Sequence, residues 1–403
     1  MRPDPDYRHI VIEGRTRHDV RVPAKPAAEA PVSPAAWAGA RADDRTVKFR
    51  LPDPAGPLAG LRLLTDIPIA SGEFVRRGDA WELVIARPQV QRMEYLLDFR
   101  FADGSQHTGT DPGNPLQVDG AFGAKSVVEF PSYAAPRWLV AAVAAPPGSS
   151  RDLTVPAEAL GDVINLRLWS PAGTADDEPL PLLLAHDGPE YDKLASLTGY
   201  LSAGVAGGWL PRLRAALLGP GQRDKWYSAN PAYSRALREA VLPAIAKAAP
   251  ATTKIGMGTS LGALAMLHAY CRDPGSLDAM FLQSGSFFSP RLDEQERRFP
   301  YYRRITRFVT SVHARGLPPS PVPVVLTCGV IEENINNNRL MTRTLQARGY
   351  PAILHELPDM HNYTAWRDAF DPHLTGLLRQ VCCQPDQAGP AGPAGQADGQ
   401  VRR

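Results

Sequence analysis

Thr253-Lys-Ile-Gly-Met-Gly-Thr-Ser260-Leu-Gly-Ala-Leu-Ala-Met-Leu-His-Ala-Tyr270 changes texture at one serine. Thr253–Met257 reads as a strand. Leu261–Tyr270 reads as a helix, closed off by Pro274. Between them stands Gly258-Thr-Ser260-Leu-Gly262, a G-x-S-x-G turn where a strand hands over to a helix. The glycines have a steric purpose: side chains two residues either side of the serine would collide with neighbouring backbone at so sharp a turn. The helix N-terminus then aims its dipole and free N–H groups at the serine hydroxyl.

Outward from this turn, Pro181–Ala185 is a continuous apolar run, the pattern of a strand buried on both faces. Ala279–Gln283, Val322–Cys328 and Ala352–Leu357 read likewise as strands. Helices are expected over Ser234–Lys247, with Ser234 as N-cap, and over Ile335–Arg348, with Gly349 at C′. Alternation of this kind specifies an α/β domain with a doubly wound, mostly parallel sheet, which two further strands in 152–170 lead into. Upstream the texture is different. Val47–Phe49, Leu61–Thr65, Trp81–Ile85, Tyr95–Phe101 and Ser126–Phe130 are short strand-like segments between Gly, Pro and Asp turns, with no helical period. They predict a small antiparallel β-sandwich. The expected organisation is an irregular arm (1–44, Ala/Pro-rich over 22–42), a β-sandwich (45–145), a Pro/Gly/Ser hinge at 145–150, the α/β domain (151–383) and a disordered tail (384–403).

Lys and Arg number 44 against 42 Asp and Glu, a balance that argues against a nucleic-acid partner. Cys271, Cys328, Cys382 and Cys383 form no C-x-x-C pair, so neither a disulfide framework nor a zinc site is expected. The charged segment Met1–Arg21 is unlike a secretory signal. The longest apolar run, Trp138–Ala145, is far short of the ~20 residues of a membrane helix. A cytoplasmic enzyme acting on a small molecule is the expectation, with no membrane partner. No dinucleotide loop, P-loop or metal-ligand cluster is visible, so no cofactor is implied.

A serine nucleophile needs a base, and the base an orienting acid. In the strand–turn–helix arrangement the order along the chain is serine, acid, histidine. His361, in the loop after Ala352–Leu357, meets that order. His373 falls in the final helix, His355 in a strand, His268 in the elbow helix, His313 in an irregular insert and His107 in a polar turn. Glu332 and Glu333 both follow the Val322–Cys328 strand; only one can face the histidine, and Glu332 is preferred. Asp359, in the loop of His361, reads as a turn former. The loop His186-Asp-Gly188 should supply an oxyanion donor beside the Leu261 N–H. Pro189 has no N–H, so the donor is Gly188 or Glu190. His186 reads equally as a substrate contact or as hydrogen-bonded packing, and Asp187 as a loop tie.

Together these motifs resemble the enterochelin-esterase-like branch of the α/β-hydrolases, which also includes esterase D and the mycolyltransferases. The resemblance spans roughly 155–380. It rests on His186-Asp-Gly-x-Glu-Tyr191, the Ser260 elbow, Tyr227–Tyr233 with Leu242-Pro243, Gly329 with Glu332, Asn338 and Arg339, and His361 followed by Trp366-Arg367. It implies a triad of Ser260, Glu332 and His361 working through an acyl-enzyme, with Tyr191, Trp226 and His186 expected at the substrate. The leading sandwich resembles the immunoglobulin-like domain of cytoplasmic enterochelin esterases, through Asp111–Pro115 and Ser126–Pro131. That pairing implies siderophore-type esters, with iron entering as cargo, and a sandwich that shapes substrate choice without joining the chemistry. Trp226 stands where the family often carries a glutamate, and Ala240 where it has an acid. The same triad would also serve an acyltransferase or a glycan or phenolic esterase. A reading of another class is a binding protein with a degenerate hydrolase domain.

Overall fold

In the computed structural model, residues 37–382 are described apart from 316, 317 and 319. The expected tail and most of the expected arm lie outside them. The chain forms two compact units. One comprises the described residues up to Tyr133 together with Pro358–Asn362; the other comprises Ala134–Leu357 and the chain from Tyr363 onward.

The smaller unit holds nine antiparallel strands. β1 (Gly39–Ala42), β2 (Thr46–Pro52), β4 (Val75–Arg77) and β5 (Ala80–Ala86) make one sheet in the order β1-β2-β5-β4. β3 (Leu58–Leu64), β6 (Arg92–Phe101), β8 (Gln117–Gly120) and β9 (Gly123–Glu129) make the other, ordered β3-β6-β9-β8, with β7 (Gln106–Gly109) beside β6. Alternation drives the packing: Val47, Phe49 and Leu51 turn inward while Lys48 and Arg50 face out. Phe49 meets Tyr95 of the second sheet edge-on at 5.1 Å, so the two sheets bury one shared face. Part of the expected arm joins this fold, since Gly39–Ala42 pairs with β2. His107 lies on β7 rather than in a turn. Asp111 and Asn114 are buried and bonded to the Tyr95 hydroxyl, which holds the 111–115 loop inside.

The larger unit is built on one eight-stranded sheet. Its strands are β10 (Ser149–Ala157), β11 (Asp162–Ser170), β12 (Leu180–Ala185), β13 (Arg214–Leu218), β14 (Ala251–Thr259), β15 (Ala279–Gln283), β16 (Val324–Gly329) and β17 (Ala352–Leu357), ordered β10-β11-β13-β12-β14-β15-β16-β17. The first pairings are antiparallel; from β13 across to β17 all are parallel. Alternate side chains enter cores on opposite faces: Leu182 and Leu184 of β12 one, Leu183 and Ala185 the other; Met280 and Leu282 of β15 one, Ala279 and Phe281 the other. Hence these strands are apolar throughout.

One face is covered by α1 (Trp138–Ala144), α2 (Gly188–Ala195), α3 (Leu197–Ala206), α10 (Tyr363–Asp368) and α11 (Thr375–Cys382). The other carries α4 (Arg223–Tyr227), α5 (Pro231–Ala236), α6 (Leu242–Ala248), α7 (Leu261–Arg272), α8 (Tyr302–Arg315) and α9 (Ile335–Ala347). The expected helix from Ser234 begins earlier, at Pro231, and passes through a π turn at Leu237–Val241. Its cap is Asn230, whose side chain accepts from the Ala232 N–H; the Ser234 hydroxyl pairs instead with His268 Nδ1 at 2.7 Å. His313 sits on α8, not in an irregular insert. Gly349 follows α9 with φ +80°.

From β12 the chain passes to β13 on one side, then to β14 on the other. The carboxyl ends of β12 and β14 therefore flank the switch point, the usual crevice of an open parallel sheet. No helix among the described residues is long and apolar enough to cross a membrane.

The larger unit starts before the expected 145–150 hinge because Trp138 is buried in it. The Trp138 ring packs on Tyr200 at 5.3 Å and Phe370 at 6.2 Å. Trp138→Ala should therefore destabilise this unit by about 3–5 kcal/mol, read as a shift in its urea midpoint. A loss below about 1 kcal/mol would show that 134–145 contributes nothing to that core.

Candidate active site

Ser260 follows β14 directly and has φ +54° and ψ −121°, a left-handed conformation costly for a side-chain-bearing residue. A Cβ at Gly258 would lie 2.5 Å from the Gly262 carbonyl, and one at Gly262 would press at 3.2 Å on His186 Cβ and Asp187 Oδ2. The turn is pinned on both sides. The Ser260 N–H donates to Gln283 O at 2.9 Å, and the Ser286 N–H donates to Ser260 O at 3.1 Å. The Ser260 and Ser286 hydroxyl oxygens are 3.0 Å apart. The sequence offered no sign of Ser286, which follows a different strand.

The strand beside the elbow delivers His186, Asp187 and Gly188. The His186 N–H donates to Met257 O at 2.9 Å. His186 Nδ1 lies 2.9 Å from Gly262 O; a carbonyl only accepts, so Nδ1 carries the proton. The ring is fully buried against Tyr227 and Tyr233, and burial pushes its pKa down to about 4. It is packed and hydrogen-bonded at the strand end, as the packing reading has it. Asp187 is left-handed at φ +50° and buried. Arg223 grips its carboxylate with two bonds of 2.8 Å, from Nε and Nη2. A Cβ at Gly188 would lie 2.3 Å from Leu217 Cα, so only glycine fits.

Gly188 and Glu190 open α2, and Leu261 opens α7. First-turn N–H groups have no intrahelical acceptor, so the expected donors come from two helix starts at adjacent strand ends. Burial, then the Asp187 charge, pushes the Glu190 carboxyl up, and its Oε2 has no hydrogen-bond partner.

Tyr191 and Trp226, expected at the substrate, both lie buried in the larger unit. Tyr191 is buried and its hydroxyl donates to Gln283 Oε1 at 2.8 Å; Gln283 in turn donates to Trp366 O at 3.0 Å. Trp226 is buried and stacks on Tyr233 at 5.9 Å. Both support the core and offer no surface to a substrate.

Glu332 and Glu333 separate clearly. Glu332 is buried, and its Oε1 accepts from the Gly329 N–H at 2.7 Å and the Ser284 hydroxyl at 2.8 Å. The Ser284 hydroxyl accepts in turn from the Trp366 indole N–H at 2.9 Å. Glu333 is exposed and meets Gln295 at 3.4 Å. Arg339 pairs with Glu356 on the outside, away from this network. His361 lies four residues beyond the end of β17, exposed between buried Met360 and the start of α10. Ser260, Ser284 and Asp187, all left-handed, stand just past the ends of the adjacent strands β14, β15 and β12. Such strain concentrates at functional sites. No group of three His, Cys, Asp or Glu side chains among the described residues could hold a metal ion. Cys271 and Cys328 form no disulfide.

Because His186 titrates near pH 4 when folded and near ~6.5 when unfolded, the unfolded chain binds its proton first. The contribution is complete above about pH 6.5 and is lost as pH falls toward 4, in total of order 3 kcal/mol. Stability measured from pH 7 to 4.5 should fall less steeply in His186→Asn than in the parent. Parallel curves would contradict a buried neutral imidazole.

No family model matches the chain. It is 28% identical over 290 residues to the iron(III) enterobactin esterase of Dickeya dadantii (strain 3937), a match spanning 65% of this chain and 65% of that relative. Among solved structures it superposes on the enterobactin esterase of Shigella flexneri, crystallised with enterobactin, with a TM-score of 0.67, 18% identity and coverage of 85% of this chain and 94% of that one. The ferric enterobactin esterase of Salmonella typhimurium gives 0.66, 19%, 83% and 93%. The chain is thus similar to an enterobactin esterase in sequence and shares the fold of such esterases.

Proposed function

We propose that the chain is a serine ester hydrolase acting on siderophore-type esters in the cytoplasm, with an immunoglobulin-like N-terminal sandwich. The observation that carries the reading is the left-handed Ser260, held between Gly258 and Gly262 at the mouth of α7. At that turn a nucleophile gains a hydroxyl placed beside the N-termini of α2 and α7. The substrate class rests on the names of the similar proteins.

In this reading Ser260 Oγ attacks the ester carbonyl carbon and its proton passes to His361. The oxyanion that forms is met by the Leu261 N–H and an N–H from Gly188 or Glu190. The carbon–oxygen bond to the alcohol breaks, and the alcohol leaves with the His361 proton. Water then repeats the sequence on the acyl-enzyme and frees the acid. Glu332 stabilises the imidazolium. His361 is assigned by chain order: it follows β17 as Glu332 follows β16 and Ser260 follows β14.

Ser260→Ala should keep its fold and lose esterase activity by several orders of magnitude, as expected for a group acting as a unit with its base. A fluorophosphonate should label the parent at Ser260 and leave the variant unlabelled. Turnover at the parent's rate in folded Ser260→Ala would refute the mechanism.

Glu332→Gln should cost far more kcat than Glu333→Gln, since only the first removes a buried carboxylate bonded to Ser284 and Gly329. Equal losses at the two positions, or a greater one at Glu333, would reverse the assignment.

A further inference from the structure

β15 ends at Gln283, and the chain turns through Ser284-Gly285-Ser286 on its way to α8. Ser286 is buried, at 4% exposure. Most side-chain hydrogen bonds in proteins go to backbone or water. The Ser286 hydroxyl instead meets another side chain, the Ser260 hydroxyl at 3.0 Å, and among the described residues it has no other hydrogen-bond partner. The same residue holds Ser260 a second time, because its N–H donates to Ser260 O at 3.1 Å. Ser286 thus grips the elbow serine both at its carbonyl and at its hydroxyl oxygen.

Ser286 has little freedom to stand elsewhere. The Asn338 side chain on α9 pairs with both backbone groups of the preceding residue. The Gly285 N–H donates to Asn338 Oδ1 at 3.0 Å, and Asn338 Nδ2 donates to Gly285 O at 3.0 Å. Asn334 Nδ2 donates to Ser284 O at 2.7 Å. Both asparagines are buried. On the following side, Phe287 folds back over Gly285, where a Cβ would lie 2.3 Å from its ring. Asn338, which has no task in the reaction above, therefore fixes the residue from which Ser286 reaches Ser260.

The direction of the hydroxyl bond follows from the chemistry. The Ser260 proton must point to the base that removes it, which leaves the lone pairs of Oγ as acceptors, so Ser286 donates. We propose that the Ser286 hydroxyl is a further catalytic group. It holds Ser260 Oγ in one rotamer and donates to it as that oxygen gathers negative charge. The inference rests on Ser260 being the nucleophile. In the step itself the Ser260 O–H bond breaks, the proton goes to the base and Oγ bonds the carbonyl carbon; Ser286 keeps its own proton throughout. When the acyl–oxygen bond later breaks, charge returns to Oγ and meets the same donor. A hydrogen bond to a charged oxygen is roughly twice as strong as one between neutral groups, so this one is worth more in the transition state than at rest.

The test uses the full chain, a small p-nitrophenyl ester for steady-state kinetics and a fluorophosphonate for the rate of labelling, with folding checked by circular dichroism. Ser286→Ala removes the hydroxyl and leaves the N–H that holds Ser260 O. It should lower kcat and the labelling rate about 10- to 100-fold, with KM changed by less than about twofold. Ser286→Thr and Ser286→Val have the same shape and differ in the hydroxyl. Ser286→Thr should recover most of the loss, and Ser286→Val should match Ser286→Ala. Equal impairment in the Thr and Val variants would reduce Ser286 to a packing residue and overturn the proposal. So would a loss confined to KM, or the parent's kcat and labelling rate in folded Ser286→Ala. Should the two larger side chains fail to fold, Ser286→Ala still decides. Ser260→Ala in the same assay separates the two levels. Retained turnover there refutes Ser260 as nucleophile; lost turnover there, with full rates in Ser286→Ala, refutes only the role of Ser286.

Discussion

The hydrogen bond from His186 Nδ1–H to the Gly262 carbonyl joins the two strand ends on which the candidate site depends. His186 closes β12 and Gly262 lies in the first turn of α7, so the bond sets the spacing between two loops that belong to opposite faces of the sheet. A Cβ at Gly262 would crowd His186 Cβ at 3.2 Å, and one at Gly258 would clash with the Gly262 carbonyl at 2.5 Å. The histidine must also stay neutral, which complete burial favours, with its proton on Nδ1, which the Gly262 carbonyl requires. The bond ties together the starts of α2 and α7, from which the donors at Gly188 or Glu190 and at Leu261 are expected. Local sequence supplies each N-terminus; one buried imidazole supplies their relation.

What was legible in the sequence follows from the same physics. A strand buried on both faces reads as an apolar run, so Ala279–Gln283 was located to the residue; Ala352–Leu357, at the sheet edge and partly exposed, was located as well. The elbow was legible because steric demand at a tight turn leaves glycines as a trace. β13 was not: Arg214-Ala-Ala-Leu-Leu is too short and too poor in branched residues to separate from helix. Depth was also illegible. His186, Tyr191 and Trp226 carry polar atoms beside a catalytic motif, which suggests a substrate; their partners, Gly262, Gln283 and Tyr233, are remote in sequence. Arg223 answers Asp187 from 36 residues away, beyond any local spacing rule. Ser234 was misread as a cap because its real partner, His268, lies on α7.

The smaller unit makes a related point about polar burial. Its Tyr95–Asp111–Asn114 network is fully bonded and fixes a loop that sequence alone would leave in solvent. The Arg92–Glu94 pair is built the same way. Alternation on β6 indicates that Arg92 and Glu94 turn from the core, yet not whether another segment covers them. Pro358–Asn362 is separated from β6 by most of the chain, so its membership of this unit leaves no mark near either stretch.

Strain and its compensation lie close together at the candidate site. Asp187, Ser260 and Ser284 each hold a left-handed backbone at a cost of about 1–3 kcal/mol. Each also sits inside hydrogen bonds of comparable worth. Asp187 has the two-bonded Arg223, and charge-assisted bonds contribute about 1.5–3 kcal/mol each. Ser260 is held through both its backbone groups by Gln283 and Ser286. The Ser284 hydroxyl stands between the Trp366 indole and the Glu332 carboxylate, while its carbonyl accepts from Asn334. Since cost and return are of the same size, stability alone would not select these conformations over relaxed ones. Yet the three stand side by side, past the ends of β12, β14 and β15, beside the crevice of the switch point, where strain of this kind concentrates.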